Sequence, residues 1–370
     1  MHDGDDLRGK MRYKTPLMQQ LGLEYPILQA PMGGGATTVD LVTTVSDAGA
    51  LGFIAAAYLT PSQIEEFSRE VRARTSRPFG INLFAPTPVP ESPSEAAAAL
   101  RLLSRFHADL GLPPPGVPSS TAIGFDEQLL ASLDSGASVF SFTFGTLPAS
   151  TIQKIKDRGM FVIGTGTTVQ EAKQLESSGV DAIVAQGSEA GAHRGTFATG
   201  FEAALIGSMA LIPQIVDAVS VPVLASGGIM EGRGIVASLA LGANAVQMGT
   251  AFLTCDESGV PEAYKEAIFN AREDETCVTR AFSGRPARGI VNKFIREFED
   301  AQNTGAILPF PLQNALTRPL RTAAAKQGHP EYLSLWAGQG VRMARRQSAR
   351  ELIERLGDEI EIVLKQLRDL

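Results

Sequence analysis

One short junction recurs along this chain. A helix-like pattern stops at glycine, small residues follow, and an apolar run begins. It reads DAGALGFIA at 47–55, DSGASVFSF at 134–142, DRGMFVIGT at 157–165, SSGVDAIVA at 177–185 and ALGANAVQM at 240–248. Glycine reaches the left-handed conformation that ends a helix, and the chain then enters a strand. Strands that alternate with helices lie parallel, because each crossover returns the chain to the same end. Strands are predicted at 25–32, 51–57, 78–85, 138–145, 161–167, 182–187, 221–228 and 245–252. Helical patterns fall at 38–48, 61–74, 94–110, 124–134, 148–157, 168–178, 203–218 and 230–240. The apolar runs are mostly continuous rather than alternating, as in strands covered on both faces. Eight such units predict an α/β fold, a closed (β/α)8 TIM barrel. The alternative, an open doubly wound sheet, would place GxGxxG after the first strand, where this chain has Gly33-Gly34-Gly35.

After Cys255 the rhythm stops. Residues 257–274 are predicted helical, 276–283 a strand and 284–289 a turn. The expected organisation is a loose tail at 1–13, a barrel at 14–255, a smaller C-terminal cap domain at 256–335, and 336–370 returning to the barrel. An amphipathic helix over 345–367 carries Leu352, Ile353, Leu356, Ile360, Val363, Leu364 and Leu367 on one stripe. The connection at 86–123 is enlarged and proline-rich at both ends, a lid or a rigid spacer.

Composition excludes several partners. The chain has 370 residues, 44% hydrophobic and 20% charged, enough apolar content for a full core. A net charge of −7 argues against nucleic acid and anionic membranes. Cys255 and Cys277 have no metal-ligand spacing and suggest a reducing compartment. The start is charged without an apolar signal-peptide core, and no apolar run reaches 18 residues. A cytoplasmic enzyme without metal, monomeric or homodimeric, is the expectation.

In a barrel the site lies at the C-terminal strand ends. Those positions hold Pro31 and Met32, Tyr58, Asn82, Gly164 to Thr167, Gln186, Ser226 to Gly228, and Gln247 to Thr250. The set is rich in glycine, amide and hydroxyl groups and poor in carboxylates. Such groups suit backbone contacts to phosphate and neutral hydrogen bonds to a heterocycle. Gly227 and Gly228, with Met248, Gly249 and Thr250, fit a phosphate cradle after the last two strands. Asn82, Gln186 and Gln247 suggest a planar ring such as a flavin or a purine. His193 sits in AQGSEAGAHRG, among Gly187, Gly191 and Gly195. Glu189 either orients it or caps the next turn; Arg194 supplies charge or forms a surface ion pair.

These stretches resemble the nitronate monooxygenases, formerly called 2-nitropropane dioxygenases. The resemblance rests on QAPMGGG (29–35), FGINLFAP (79–86), VAQGSEAGAHRG (184–195), LASGGI (224–229), VQMGTAFL (246–253) and SLWAGQG (334–340). It implies an FMN-binding (β/α)8 barrel with a cap. The family's FMN residues fall on Asn82, Gln186, Gly191, Gly228 and Gln247 to Thr250, and its catalytic histidine on His193. The implied reaction oxidises alkyl nitronates, such as propionate 3-nitronate, with O2 to a carbonyl compound and nitrite. Two departures stand out: Gly191-Ala192 where the family commonly has two glycines, and the first loop, Gly33-Gly34-Gly35-Ala36. Tyr332 and Trp336 precede the family-like Ala337-Gly338-Gln339-Gly340, as substrate-site walls or as core packing. Alternatives are an NAD(P)H-dependent FMN reductase of enoyl-ACP or quinone type, a non-catalytic flavin-binding protein, and a sugar-phosphate barrel enzyme.

Overall fold

A computed structural model describes residues 14–87, 96–117, 124–302 and 306–369. The expected tail at 1–13 and parts of the proline-rich stretches around 86–123 lie outside the described residues. Six strands come first: β1 (Ile27–Gln29), β2 (Gly52–Ala55), β3 (Phe79–Phe84), β4 (Val139–Thr143), β5 (Phe161–Gly166) and β6 (Ala182–Gln186). A two-residue strand β7 (Ala192–His193) follows, then β8 (Val223–Ser226) and β9 (Ala245–Met248). All but β7 form one parallel sheet in the order β1-β9-β8-β6-β5-β4-β3-β2. The two ends of that order meet through a parallel bridge between Leu28 and Leu51. Gln29 strengthens the seam, its Oε1 accepting the Phe53 N–H at 2.9 Å. The chain is therefore an α/β TIM barrel, with each expected strand present and trimmed at its ends.

A helix not foreseen, Pro16–Leu21, is started by Thr15, whose hydroxyl accepts the Met18 N–H, and by proline at its first turn. Its Leu17, Met18 and Leu21 cluster with Leu28, Phe53, Ile163, Val184 and Leu224 from the strands. Those strand residues are separated from the outward-facing Ile54, Val162 and Ile183 by the two-residue period of the pleat. An apolar interior plugged in this way leaves the polar strand ends as the place for a ligand.

The last helix, Ala349–Arg368, opens with a capping box between Ser348 and Glu351. Leu352, Ile353, Leu356 and Ile360 are fully buried against the barrel cluster. Val363 and Leu364 pack at its margin, and Leu367, expected on the stripe, is exposed.

The segment after the barrel differs from expectation in register. The strand predicted at 276–283 stops at Thr279 as β10 (Thr276–Thr279), and the turn expected at 284–289 already contains β11 (Ala287–Ile290). The reversal is made earlier, at Ser283-Gly284, where Gly284 has φ +80° and its α-carbon leaves no room for a side chain against Leu308 and Phe310. β10, β11 and β7 form an antiparallel sheet, with Ala287 opposite His193 and Arg288 opposite Ala192. A second apolar cluster joins Phe282, Phe294, Phe298, Leu316 and Leu320 to Leu103 and Phe106 of the helix Ala96–Asp109. The enlarged connection after β3 thus thickens the layer above the strand ends.

Candidate active site

The stretch after β6 is held by buried charge. Arg194 is 1% exposed and donates to the carbonyls of Gly187 (2.5 Å), Gln186 (3.1 Å) and Ala204 (3.2 Å). It is not a surface ion pair but an internal strut, and burial pushes its pKa down to about 10, still charged at neutral pH. Glu189 accepts from the N–H and hydroxyl of Ser208 at 2.8 and 2.9 Å, at the start of helix Ser208–Val216. It caps that helix, which explains why the helix begins later than residue 203, and it makes no hydrogen bond to His193. Gln186 braces the same loop, donating to the His193 carbonyl at 3.1 Å and accepting the Gly195 N–H at 2.8 Å. Half of its hydrogen-bonding capacity is left unused among the described residues.

His193 is not in a free turn, as the glycines around it suggested, but in β7. Its Nε2 lies 2.9 Å from Ser283 Oγ. Its ring meets Phe144 edge-on at 5.7 Å, Phe310 at 5.9 Å and Trp336 at 5.7 Å between centroids. Phe144 touches Phe84 at 4.4 Å, and Phe84 touches Tyr58 at 5.4 Å. Tyr58 after β2, Phe84 at the end of β3, Phe144 just after β4, and Phe310 and Trp336 from the segment after the barrel thus build one aromatic wall around the imidazole. Phe144 holds φ +80° to do so, an uncommon backbone for a bulky residue. Ala192 holds φ +61°, at the position where two glycines were the familiar pattern.

The wall is flanked by cations that stand outside any salt bridge among the described residues, although the Glu171 carboxylate acts on Arg285 through space. The Arg285 guanidinium sits 3.8 Å over the Phe144 ring and donates to the Arg194 and Thr196 carbonyls at 3.3 and 2.6 Å. Arg321 donates to the Asn314 carbonyl and side-chain oxygen at 2.7 and 2.8 Å, while its Nε is sealed without a partner. Arg318 lies 5.8 Å over Tyr58. Among the described residues none of the three makes a salt bridge. Burial lowers Arg285 and Arg321 to about 10. Burial and the charges of Arg285 and Arg321 lower His193 to about 3, so the imidazole is neutral at physiological pH.

The remaining expected residues fall into two groups. Among the described residues, Asn82 donates to Ser141 Oγ at 2.9 Å and leaves its Oδ1 unused, and the Gln247 amide makes no hydrogen bond. The backbone N–H groups of Gly227, Gly228, Gly249 and Thr250 donate to no acceptor among the described residues. Gly227 and Gly228 hold φ +126° and +71°, and Gly249 stands against Ala30 and Met32, beside Pro31. Met248 is buried at the end of β9. Gly191 packs so tightly on Ala337 and Gly338 that an added methyl would fall 2.6 Å from each. Trp336 reaches His193, but Tyr332 does not: its ring meets Phe106 at 5.9 Å and its hydroxyl donates to Asp109 at 2.7 Å.

Sequence reasoning missed Phe84, Phe144, Ser283, Arg285, Phe310 and Arg321. Phe84 and Phe144 were inside predicted strands and read as core. Ser283-Gly284-Arg285-Pro286 carried a turn signal, but nothing local tied that turn to His193, 90 residues earlier.

The nitronate monooxygenase family profile matches residues 14–359. A probable nitronate monooxygenase of Staphylococcus haemolyticus is 43% identical over 97% of this chain and 100% of its own length. A second, from Staphylococcus saprophyticus, is 41% identical over 93% of this chain and 97% of its own. Among solved structures, nitroalkane oxidase from Streptomyces ansochromogenes superposes with a TM-score of 0.88 at 40% identity, covering 95% of this chain and 99% of that one. FabK from Thermotoga maritima follows at 0.76 and 28%, covering 96% and 99%. The (β/α)8 scaffold and these likenesses agree, and the chain is an oxidoreductase belonging to the nitronate monooxygenase family.

Proposed function

We propose that this protein is an FMN-dependent nitronate monooxygenase that oxidises alkyl nitronates with O2 to a carbonyl compound and nitrite. The observation that carries the reading is the electrostatics of the aromatic wall. A neutral imidazole stands beside Arg285 and Arg321, neither of which forms a salt bridge among the described residues. A nitronate is an anion with an apolar body, which such a site recognises by both features. The relatives support it, being named for nitronates and, in the solved structure, for a nitroalkane.

The residues fit FMN. Four unused N–H groups on adjacent loops, at Gly227, Gly228, Gly249 and Thr250, suit a single phosphate. The unused oxygen of Asn82, the free amide of Gln247 and the spare capacity of Gln186 suit the edge of a flavin ring. No dinucleotide fingerprint follows β1, so the mononucleotide is favoured over FAD. FMN supplies the electron acceptor when bound. The chain's residues hold it, orient the nitronate against the aromatic wall, keep water from the reacting carbon, and balance the anion with guanidinium charge.

The test is aerobic turnover. Propionate 3-nitronate is expected to consume O2 and release nitrite, with little NADPH oxidation in a parallel assay. Fast NADPH oxidation without nitrite release favours the FMN reductase alternative. Bound flavin without turnover of either compound favours a non-catalytic binder.

A further inference from the structure

Ser283 lies in the cap, 1% exposed, and its one hydroxyl proton has two possible acceptors. His193 Nε2 is 2.9 Å from the oxygen, and the Arg285 carbonyl is 3.0 Å away. The Arg285 N–H also approaches the same oxygen at 3.3 Å, so it needs Ser283 as an acceptor. A hydroxyl offers one donor and two acceptor sites. One arrangement satisfies every group: Oγ–H donates to the Arg285 carbonyl, and Oγ accepts from both the Arg285 N–H and His193 Nε2–H. The reverse, with the hydroxyl donating to Nε2, leaves the Arg285 carbonyl without a donor, since no other group among the described residues bonds to it.

We propose that Ser283 is a positioning residue that fixes His193 as its Nε2–H tautomer, so that substrate meets the bare Nδ1 lone pair. Nδ1 has no protein partner, and it is not among the sealed side-chain atoms. The ring cannot easily turn over to exchange its nitrogens, because Phe144, Phe310 and Trp336 pack on it and β11 pairs with its backbone. Ser283 is held in turn by the helix Leu312–Gln327. Gln313 donates to the Ala281 carbonyl at 2.7 Å and Thr317 to the Phe282 carbonyl at 2.6 Å.

The tautomer selects substrate chemistry. A lone pair does not donate a hydrogen bond to a nitronate oxygen, but it accepts a proton from the α-carbon of a neutral nitroalkane. In that step the C–H bond breaks, its electron pair moves into the carbon–nitrogen bond of the nitronate, and a new N–H bond forms at Nδ1. The charge that develops on the nitro oxygens is met by Arg285 and Arg321, which offsets their opposition to a protonated imidazole. The tautomer thus bears on the relative rates with a neutral nitroalkane and with its nitronate, an inference that rests on His193 being the side chain that meets them.

Nitrogen-15 histidine NMR of the flavin-loaded protein, without substrate, tests the tautomer directly. The chain has four histidines, and a His193→Asn variant assigns the signal. The expected result is a proton on Nε2 and none on Nδ1. Ser283→Ala is expected to populate the other tautomer and to lower nitroalkane turnover, relative to nitronate turnover, by about tenfold or more, part of the usual effect of a general base. Ser283→Thr, which keeps the hydroxyl, is expected to restore the wild-type signal. A proton on Nδ1 in the wild-type protein overturns the proposal, and so does a Ser283→Ala spectrum or turnover ratio like the wild type. Undiminished turnover of both substrates by His193→Asn would instead remove the underlying reading of His193.

Discussion

Glu171 offers a sharp test of how the strand-end loops are held. It is wholly buried, and its two oxygens accept every nearby donor. Oε2 takes the Thr167 N–H and hydroxyl at 2.7 and 2.6 Å; Oε1 takes the Phe197 and Ala198 N–H groups at 2.6 and 2.9 Å. A carboxylate only accepts, so the Thr167 hydroxyl must donate to it, and Thr196, 2.8 Å away, must donate to Thr167. Glu171→Gln keeps the shape but turns one oxygen into a donor. At Oε1 that NH2 opposes two N–H donors; at Oε2 it opposes the Thr167 N–H while the Thr167 hydroxyl turns to accept from it, so two charge-assisted bonds are lost and at most one neutral bond replaces them. At about 1.5–3 kcal/mol each, less the gain from no longer burying a charge, the expected loss is about 3 kcal/mol. Urea unfolding followed by far-UV circular dichroism and by the fluorescence of Trp336, the one tryptophan, measures it. The midpoint is expected to fall by about 1 M. A loss below about 1 kcal/mol would refute the account of Glu171 as the anchor of the loop that Arg285 grips at Thr196.

Other expectations follow from the same geometry. Ala192→Gly should stabilise by about 0.5–1 kcal/mol, the relief of a left-handed alanine exceeding glycine's added unfolded-state entropy, and should raise the urea midpoint. Tyr332→Phe should lose about 0.5–1.5 kcal/mol with its bond to Asp109 and leave nitronate kinetics intact, as steady-state assays would report. Wild-type stability should fall as pH drops from about 6.5 toward 3, because the unfolded chain protonates His193 while the folded site, at about 3, resists it. His193→Asn should flatten that part of the urea-unfolding profile, keep its flavin and lose turnover by about 10²–10⁴-fold.

The barrel was legible because its signal is local and repeated. Each helix-ending glycine and each apolar run speaks for its own unit, and eight of them leave one closed arrangement. The plug Pro16–Leu21 was missed because six residues show too little periodicity, although Thr15-Pro16 is a helix start. At the site, the glycines, amides and His193 were visible as residue types out of place at strand ends. Their partners were not. Glu189 serves Ser208 and Arg194 serves carbonyls, choices made by burial rather than by spacing. Ser283, Arg285 and Arg321 come near the imidazole only through contacts far apart in sequence, such as the pairing of β11 with β7. Long-range pairing of that kind leaves no mark in a local pattern.

The central claim is that this site passes electrons from a nitronate to bound FMN. The most direct measurement is anaerobic rapid mixing of the purified protein, with the absorbance of its flavin followed in time and the flavin then released by heat and identified. The account predicts FMN, prompt loss of its oxidised visible band with propionate 3-nitronate, and no comparable change with NADPH. A flavin that is unchanged by the nitronate yet bleached at once by NADPH would contradict it.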